Sequence, residues 1–147
     1  MSRPRILMLT KDVPWPRTNG YRLRLASQVE GLARTGDVHL VALSRDDRAS
    51  AGDKPDSVRL QRYDVLPYPR RDGRAVQLVR WLSSRRPRRL VGGEWPKAVP
   101  GILDRVDPAP DLVWWSHTDA WVAMRDHVEG TAILDFDNIE SARIAHR

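Results

Sequence analysis

Two continuous apolar runs near the start of the chain constrain its fold more than any other feature. The runs cover residues 6–9 and 38–43, and apolar and polar residues alternate in neither of them. Such runs are typical of strands that are buried on both faces in the middle of a parallel sheet. They therefore predict two buried strands, which require further structure above and below them.

A helix is predicted between the two runs. Apolar residues recur there at spacings of three to four, and Gly36 stands where such a helix would end. The apolar positions are Leu23, Ala26, Val29 and Leu32 or Ala33. Because two strands joined by a helix of this length are almost always parallel and right-handed, we expect a βαβ unit.

The rest of the chain continues this alternation of strands and helices. Strands are predicted within 58–66, at 112–115 and at 132–134, and helices over 95–106, around 120–128 and from 139 onward. A further helix has one apolar face, formed by Ala75, Leu78, Val79 and Leu82. The order of elements predicts an α/β fold, with a Rossmann-like, mostly parallel sheet and helices on both faces.

Length and composition narrow the class of protein. At 147 residues the chain has the size of one domain, and it contains no apolar stretch near the roughly 18 residues of a membrane span. Its first residues are not followed by a signal-peptide cleavage site, which favours a cytoplasmic protein. The absence of cysteine excludes disulfides, thiol catalysis and thiolate metal sites.

The positive charge is concentrated in one segment. Residues 70–90 contain eight arginines and one acidic residue, while the rest of the sequence is close to neutral. The densest part consists of Arg85, Arg86, Arg88 and Arg89, next to the amphipathic helix that carries Trp81. Three interpretations stay open: a solvated face, peripheral contact with the inner face of an anionic membrane, and contact with nucleic-acid phosphates. Nucleic acid is the least favoured, because no nucleic-acid-binding motif accompanies the arginines.

Ligands of open α/β sheets bind at the carboxyl ends of strands, which directs attention to residues 11–20. This loop is longer than the usual length of about 2 to 6 residues, and it ends in Asn19 and Gly20. A glycine there lets a bound group approach the backbone, the helix N-terminus favours an anion, and Arg22 and Arg24 add positive charge. The alternative is a turn glycine followed by arginines on a solvated helix face. Neither a Gly-x-Gly-x-x-Gly nor a Walker motif is present, which argues against a dinucleotide or NTP site.

Two further strand ends carry residues suited to chemistry. His117 follows the fourth predicted strand, and a histidine there suits proton transfer or a hydrogen bond to a hydroxyl. The fifth predicted strand leads into an acidic stretch with Asp135, Asn138 and Glu140, which can bind sugar hydroxyls or a metal ion. Asp137 or Asn138 can equally cap the last helix, with Glu140 in its first turn. No zinc-binding spacing is present, and we assign no metal site.

Three stretches carry motifs of one enzyme family. The first stretch runs from the strand at 6–9 to residues 19–24. At 19–24 the family has the motif Gly-Gly-x-Arg-x-Arg, and in this chain Asn19 replaces the first glycine. The second, at 32–41, is similar to the family's passage from helix into second strand. The third comprises 111–117 and 134–141. Together they resemble the N-terminal half of a family 4 glycosyltransferase of the GT-B fold, over nearly the whole chain.

The resemblance implies transfer of a sugar from a nucleotide-sugar donor to a glycan, lipid or small-molecule acceptor. Gly20 matches the loop that approaches the donor phosphates or the acceptor. His117 matches the strand-end histidine near the transferred sugar and is the expected catalytic residue. The expected substrate-binding residues are Asn19, Gly20, Arg24, Asp135, Asn138 and Glu140.

In this family a second, C-terminal Rossmann-like domain holds the nucleotide sugar with a pair of glutamates at a fixed spacing. No two glutamates of this chain have that spacing. We therefore expect residues 1–147 to be a truncated acceptor-side domain, inactive alone, whose cleft a second chain or domain completes. The nucleotide sugar is then a co-substrate, and no cofactor is expected. The competing interpretation is a non-catalytic module that docks to an anionic membrane or a partner through its arginine segment.

Overall fold

A computed structural model describes residues 2–46, 48–67, 74–83, 109–118, 120, 121, 125 and 128–135. Within these residues lie five strands: β1 (Arg5–Thr10), β2 (Asp37–Ser44), β3 (Arg62–Pro67), β4 (Leu112–Trp115) and β5 (Ala132–Leu134). The described helices are α1 (Gly20–Thr35), between β1 and β2, and α2 (Arg74–Ser83), after β3. A short 3-10 turn covers Ala51–Asp53.

The strands of the described part form one parallel sheet in the order β3-β2-β1-β4-β5. Ile6 of β1 lies beside Val38 of β2 on one side and beside Leu112 of β4 on the other. The predicted α/β, Rossmann-like fold is thereby confirmed, and all its described strand pairs are parallel. The strands predicted at 112–115 and 132–134 coincide with β4 and β5.

Side chains of β1 alternate between two hydrophobic cores, one on each face of the sheet. On one face, Met8 packs with Leu40 of β2 and with the buried side of α1. On the other face, Leu9 packs with Trp115 of β4 and with Ala120, in the helical turn that follows β4. β1 is therefore covered on both faces, as its continuous apolar run requires.

Both ends of α1 depend on residues with special local chemistry. The Oδ1 atom of Asn19 accepts a 2.9 Å hydrogen bond from the backbone N–H of Arg22, which satisfies a donor of the first turn. At the other end, the N–H of Gly36 donates to the Leu32 carbonyl at 2.9 Å. A Cβ at position 36 would lie 2.5 Å from the carbonyl oxygen of Pro4, so only glycine fits there. The prediction that α1 ends at Gly36 is confirmed.

The buried face of α1 does not include every apolar residue whose spacing predicted the helix. Leu23 is 50% exposed, and Leu25 takes its place in the core beside Ala26 and Val29. At about 100° per residue, Leu23 lies roughly 120° from the centre of this buried stripe. Both sides of the helix cannot face the sheet, so Leu23 lies on the exposed side.

β3 is shorter than the predicted region and begins at Arg62. Val58 is buried, but its N–H bonds to the Pro55 carbonyl at 3.0 Å in a turn. Val58 is therefore buried as part of the loop before β3 and not as part of the strand. β3 ends with Pro67 opposite Ser44, at the edge of the described sheet, where the missing N–H of proline is tolerated.

The amphipathic helix predicted around Ala75 to Leu82 is present as α2. The helices predicted over 95–106 and from 139 onward lie outside the described residues, as does most of the segment 120–128. Across the described residues, no helix combines the length and apolar character that a membrane crossing needs.

An ion pair fastens the start of β4 to the start of β1. Asp111 accepts hydrogen bonds from the backbone N–H of Arg5 at 2.8 Å and from its guanidinium at 3.0 Å. These bonds, the guanidinium contribution being the largest, lower the pKa of the Asp111 carboxyl from 3.8 to about 2. The ionised form is thus favoured in the folded chain.

Replacing Asp111 by Asn should make stability depend less on pH. A carboxyl with a lowered pKa stabilises the folded state above its ordinary pKa of 3.8, and this contribution is lost as the pH falls towards about 2. We expect Asp111→Asn to have a lower Tm than the wild type at pH 7, and the difference to vanish towards pH 2. Thermal unfolding across that range measures it, with the exposed Asp56→Asn as control. A Tm difference that persists unchanged at low pH would contradict the ion-pair explanation.

Replacement by alanine of two glycines in or beside α1 should change the free energy of unfolding in opposite directions. At Gly36 the added Cβ meets Pro4 and Ile6, and we expect a loss of about 1–3 kcal/mol in the free energy of unfolding. At Gly31, within the helix, a Cβ meets nothing within 4 Å, so Gly31→Ala should raise that free energy by about 0.5–1 kcal/mol. Urea denaturation of both variants tests the pair. Equal changes in the free energy of unfolding would show that the contact of the added Cβ at position 36 with Pro4 and Ile6 does not destabilise the fold.

Candidate functional site

The strand order reverses at β1, and this reversal locates the candidate site. From β1 the chain passes through α1 to β2 on one side, while β4 pairs with the opposite edge of β1. In open α/β sheets, ligands bind in the crevice outside the carboxyl ends of the strands at such a switch point. Lys11 leaves β1 at this edge, and Ser116 and His117 leave β4 beside it. The N–H of Ser116 donates to the Leu9 carbonyl at 3.0 Å, which holds the two strand ends together.

The loop from β1 to α1 is held by an aspartate. The Thr10 hydroxyl donates to the Asp12 carbonyl at 2.7 Å, and the Asp12 carboxylate accepts from the N–H of Val13 at 2.8 Å. The same carboxylate takes two hydrogen bonds from the guanidinium of Arg22, at 3.0 and 3.2 Å. The loop and the first turn of α1 therefore form one ordered unit.

Farther along, the loop packs into the core through Trp15. This side chain is buried, and its ring meets that of Tyr63 edge to face, with centroids 6.0 Å apart. Burial, followed by the nearby Asp53 carboxylate, raises the pKa of Tyr63 well above its ordinary value of 10. Tyr63 is therefore a neutral phenol at physiological pH, and it supports the loop rather than serving as a base.

Three side chains from separate segments meet at the switch point. The Nζ atom of Lys11 lies 4.8 Å from the centre of the Tyr21 ring, a cation–π contact. Tyr21 also meets the imidazole of His117 edge to face, with centroids 6.4 Å apart and planes at 85°. Tyr21 belongs to the first turn of α1, so the lysine and the histidine both contact a residue at the start of the helix. We refer to Lys11, Tyr21 and His117 as the switch-point cluster.

Ser116 adds a buried hydroxyl beside this cluster. The residue is 1% exposed, and its Oγ atom has no hydrogen-bond partner among the described residues. A buried hydroxyl without a partner is costly and calls for an explanation in function or in bound solvent. Its position directly before His117 makes it a candidate for a hydrogen bond to a ligand hydroxyl or phosphate oxygen.

The electrostatics of the switch point favour an anion. The first turn of α1 contains no acidic residue, so its positive dipole end is not offset there. The ammonium of Lys11 lies over the ring of Tyr21 in the same turn. Arg22 of the same turn is paired with Asp12. Backbone N–H groups, a helix dipole and a lysine together are the elements of a phosphate or carboxylate site.

Two of the predicted substrate-binding residues contact each other. The guanidinium of Arg24 lies 2.7 Å from both carboxylate oxygens of Asp135, and the amide of Gln28 donates to Asp135 at 2.5 Å. The N–H of Asp135 in turn donates to the Trp115 carbonyl at 2.8 Å. The pair links α1 to the end of β5, at the edge of the sheet that carries the switch point. Its role as a substrate contact stays a prediction.

The remaining predicted residues divide into two groups. Asn19 caps α1 with its side chain, and Gly20 opens the helix beside the cluster; their substrate contacts stay predictions. The other group lies outside the described residues: Asn138, Glu140, Arg85, Arg86, Arg88 and Arg89, together with the alternative cap Asp137. In the part of the chain that is described, no group of three His, Asp or Glu side chains is placed to hold a metal ion.

Sequence reasoning missed Lys11 and Tyr21 as members of the site. Lys11 is the first residue after β1, and Tyr21 directly follows Gly20, so both stood within the segments already singled out. The sequence does not show that the Tyr21 ring contacts both Lys11 and His117.

The second buried histidine of the described residues has a different role. His39 lies within β2, beside Arg62 at the start of β3, away from the carboxyl ends. Its Nε2 atom is 2.7 Å from Asp64, which also takes a 2.7 Å contact from Arg62. These partners account for its burial, and the residue belongs to the sheet rather than to the candidate site.

Comparisons with known proteins do not assign the chain to a family. No family model matches the sequence, and no curated protein or solved structure matches it either.

Proposed function

We propose that this chain is the acceptor-side domain of a glycosyltransferase, which moves a sugar from a nucleotide-sugar donor to a glycan, lipid or small-molecule acceptor. The observation that carries the proposal is the switch-point cluster, in which Lys11 and His117 both contact Tyr21 in the first turn of α1. Such a transfer needs stabilisation of a departing diphosphate and hydrogen bonds to the sugar. A second domain, supplied by another chain or segment, would hold the rest of the nucleotide.

Each member of the cluster has a role in this proposal. The ammonium of Lys11 and the N–H groups at the start of α1 stabilise the negative charge of the diphosphate. His117 accepts or donates a hydrogen bond at a hydroxyl of the transferred sugar and can take up a proton there. Tyr21 fixes the imidazole plane through the edge-to-face contact, and Ser116 offers its hydroxyl to the same ligand.

The glycine at position 20 supports a ligand at this place. Its φ is not positive, and a Cβ built there meets nothing within 4 Å. The fold itself therefore does not require glycine at the start of α1. A bound phosphate that approaches the backbone does require the space that a side chain would fill.

Gly20→Ala should weaken ligand binding without lowering the stability of the fold. Because no protein atom opposes the added methyl group, we expect an unchanged or slightly higher Tm. A bound diphosphate would lose its close approach, and affinity should fall about 5-fold or more, the equivalent of one hydrogen bond. Ligand-detected NMR with nucleotide sugars of the uridine, guanosine and adenosine series measures the affinity. Gly31→Ala, the same change in the same helix, is the matched control, and an equal loss in both variants would contradict the site.

His117→Ala should abolish recognition of the sugar. In the wild type we expect a nucleotide sugar to bind about 5-fold more tightly than the corresponding nucleoside diphosphate, because His117 bonds a sugar hydroxyl. The variant should bind both ligands equally, with the affinity for the diphosphate retained. Titration of each protein with both ligands makes the comparison. Equal affinities in the wild type would contradict the assignment of His117, and no binding of either ligand would contradict the proposed function.

A further inference from the structure

The helix α2 exposes its apolar side. All its described side chains are exposed, among them Val79 at 65% and Leu82 at 71%. Val76 and Leu78 are also nearly half exposed. In α1, by contrast, the apolar stripe is buried against the sheet. An apolar patch of this kind on a domain marks an interaction surface.

The exposed apolar residues lie on one side of the helix. At about 100° per residue, they span an arc of roughly 160°. The members of this stripe are Ala75, Val76, Leu78, Val79 and Leu82. With ten residues, α2 is about 15 Å long. A short helix with a wide apolar side is suited to lie flat on an extended surface.

The charge around α2 indicates the kind of surface. Residues 70–90, which include the helix, contain eight arginines and one acidic residue, while the rest of the chain is close to neutral. Arginines beside an apolar helix face are typical of segments that bind anionic lipid. Arg85, Arg86, Arg88 and Arg89 of this segment lie outside the described residues.

We infer that α2 docks on an anionic lipid surface, with its apolar stripe in the interface and the neighbouring arginines on the head groups. Nucleic acid would neutralise the arginines but leave the apolar stripe in water. A second copy of the chain would cover the stripe but bring two strongly positive segments together. An anionic lipid surface covers the apolar stripe and also neutralises the arginines. The inference does not depend on a ligand at the switch point.

Flotation of the full chain with vesicles tests the inference. We expect binding to vesicles of phosphatidylcholine mixed with phosphatidylglycerol, and at least 10-fold weaker binding to phosphatidylcholine alone. Raising the ionic strength from about 0.1 M to about 1 M shortens the Debye length from about 10 Å to about 3 Å, and should weaken binding to the mixed vesicles. Absence of binding, or equal binding to both kinds of vesicle, would overturn the inference.

Variants of the exposed stripe test the contribution of α2. The double variant Val79→Asn, Leu82→Gln removes two strongly exposed apolar side chains of the helix, and we expect it to bind mixed vesicles about 10-fold more weakly. Leu23→Gln is the matched control, because Leu23 is an apolar residue 50% exposed on α1; it should bind as the wild type does. Equal Tm values establish that the variants are folded. Unchanged binding by the double variant would overturn the role of α2.

Charge variants and two further measurements complete the test. Replacing Arg85, Arg86, Arg88 and Arg89 together by glutamine should remove the preference for anionic vesicles. Sedimentation of the wild type without lipid should show a monomer. A dimer that the double variant dissociates, without vesicle binding, would assign the stripe to a second copy and overturn the inference. Salt-sensitive binding to an oligonucleotide, without vesicle binding, would overturn it in favour of nucleic acid.

Discussion

The burial of β1 on both faces is the constraint on which the rest of the structure depends. Every residue from Ile6 to Thr10 is buried, so the backbone groups of the strand must find partners within the sheet. β2 supplies them on one side and β4 on the other. Because β2 follows directly through α1 while β4 comes from far along the chain, the strand order reverses at β1. The switch-point cluster lies at that reversal.

The sequence predicted the strands and helices correctly where a single structural environment accounts for the pattern of apolar residues. The apolar runs that form β1 and β2 fit only a strand covered on both faces, and the glycine at 36 marked the end of α1 correctly. Leu23 lies in α1 but outside its buried face, and Val58 is buried but lies outside β3, because an apolar residue can be exposed on a helix or buried by a loop. Rotation of a helix and packing of a loop depend on tertiary contacts, which local spacing does not contain.

The candidate site could be predicted in part. The strand-end rule led to His117 and to the loop before Gly20, but not to the contacts of Tyr21 with Lys11 and with the histidine. Those contacts join three segments, and they depend on the register of β4 against β1. The pair of Arg24 and Asp135 has the same origin: each residue was singled out separately, while their ion pair spans 111 positions of sequence.

We propose that an anionic ligand binds between the carboxyl ends of β1 and β4. Backbone amide NMR during titration with inorganic diphosphate tests it most directly, because it requires no knowledge of the natural ligand. We predict the largest shift changes at Lys11, Gly20, Tyr21, Ser116 and His117. Changes centred on Asp37 and Asp111, at the opposite edge of the sheet, or no saturable change at any amide, would contradict the account.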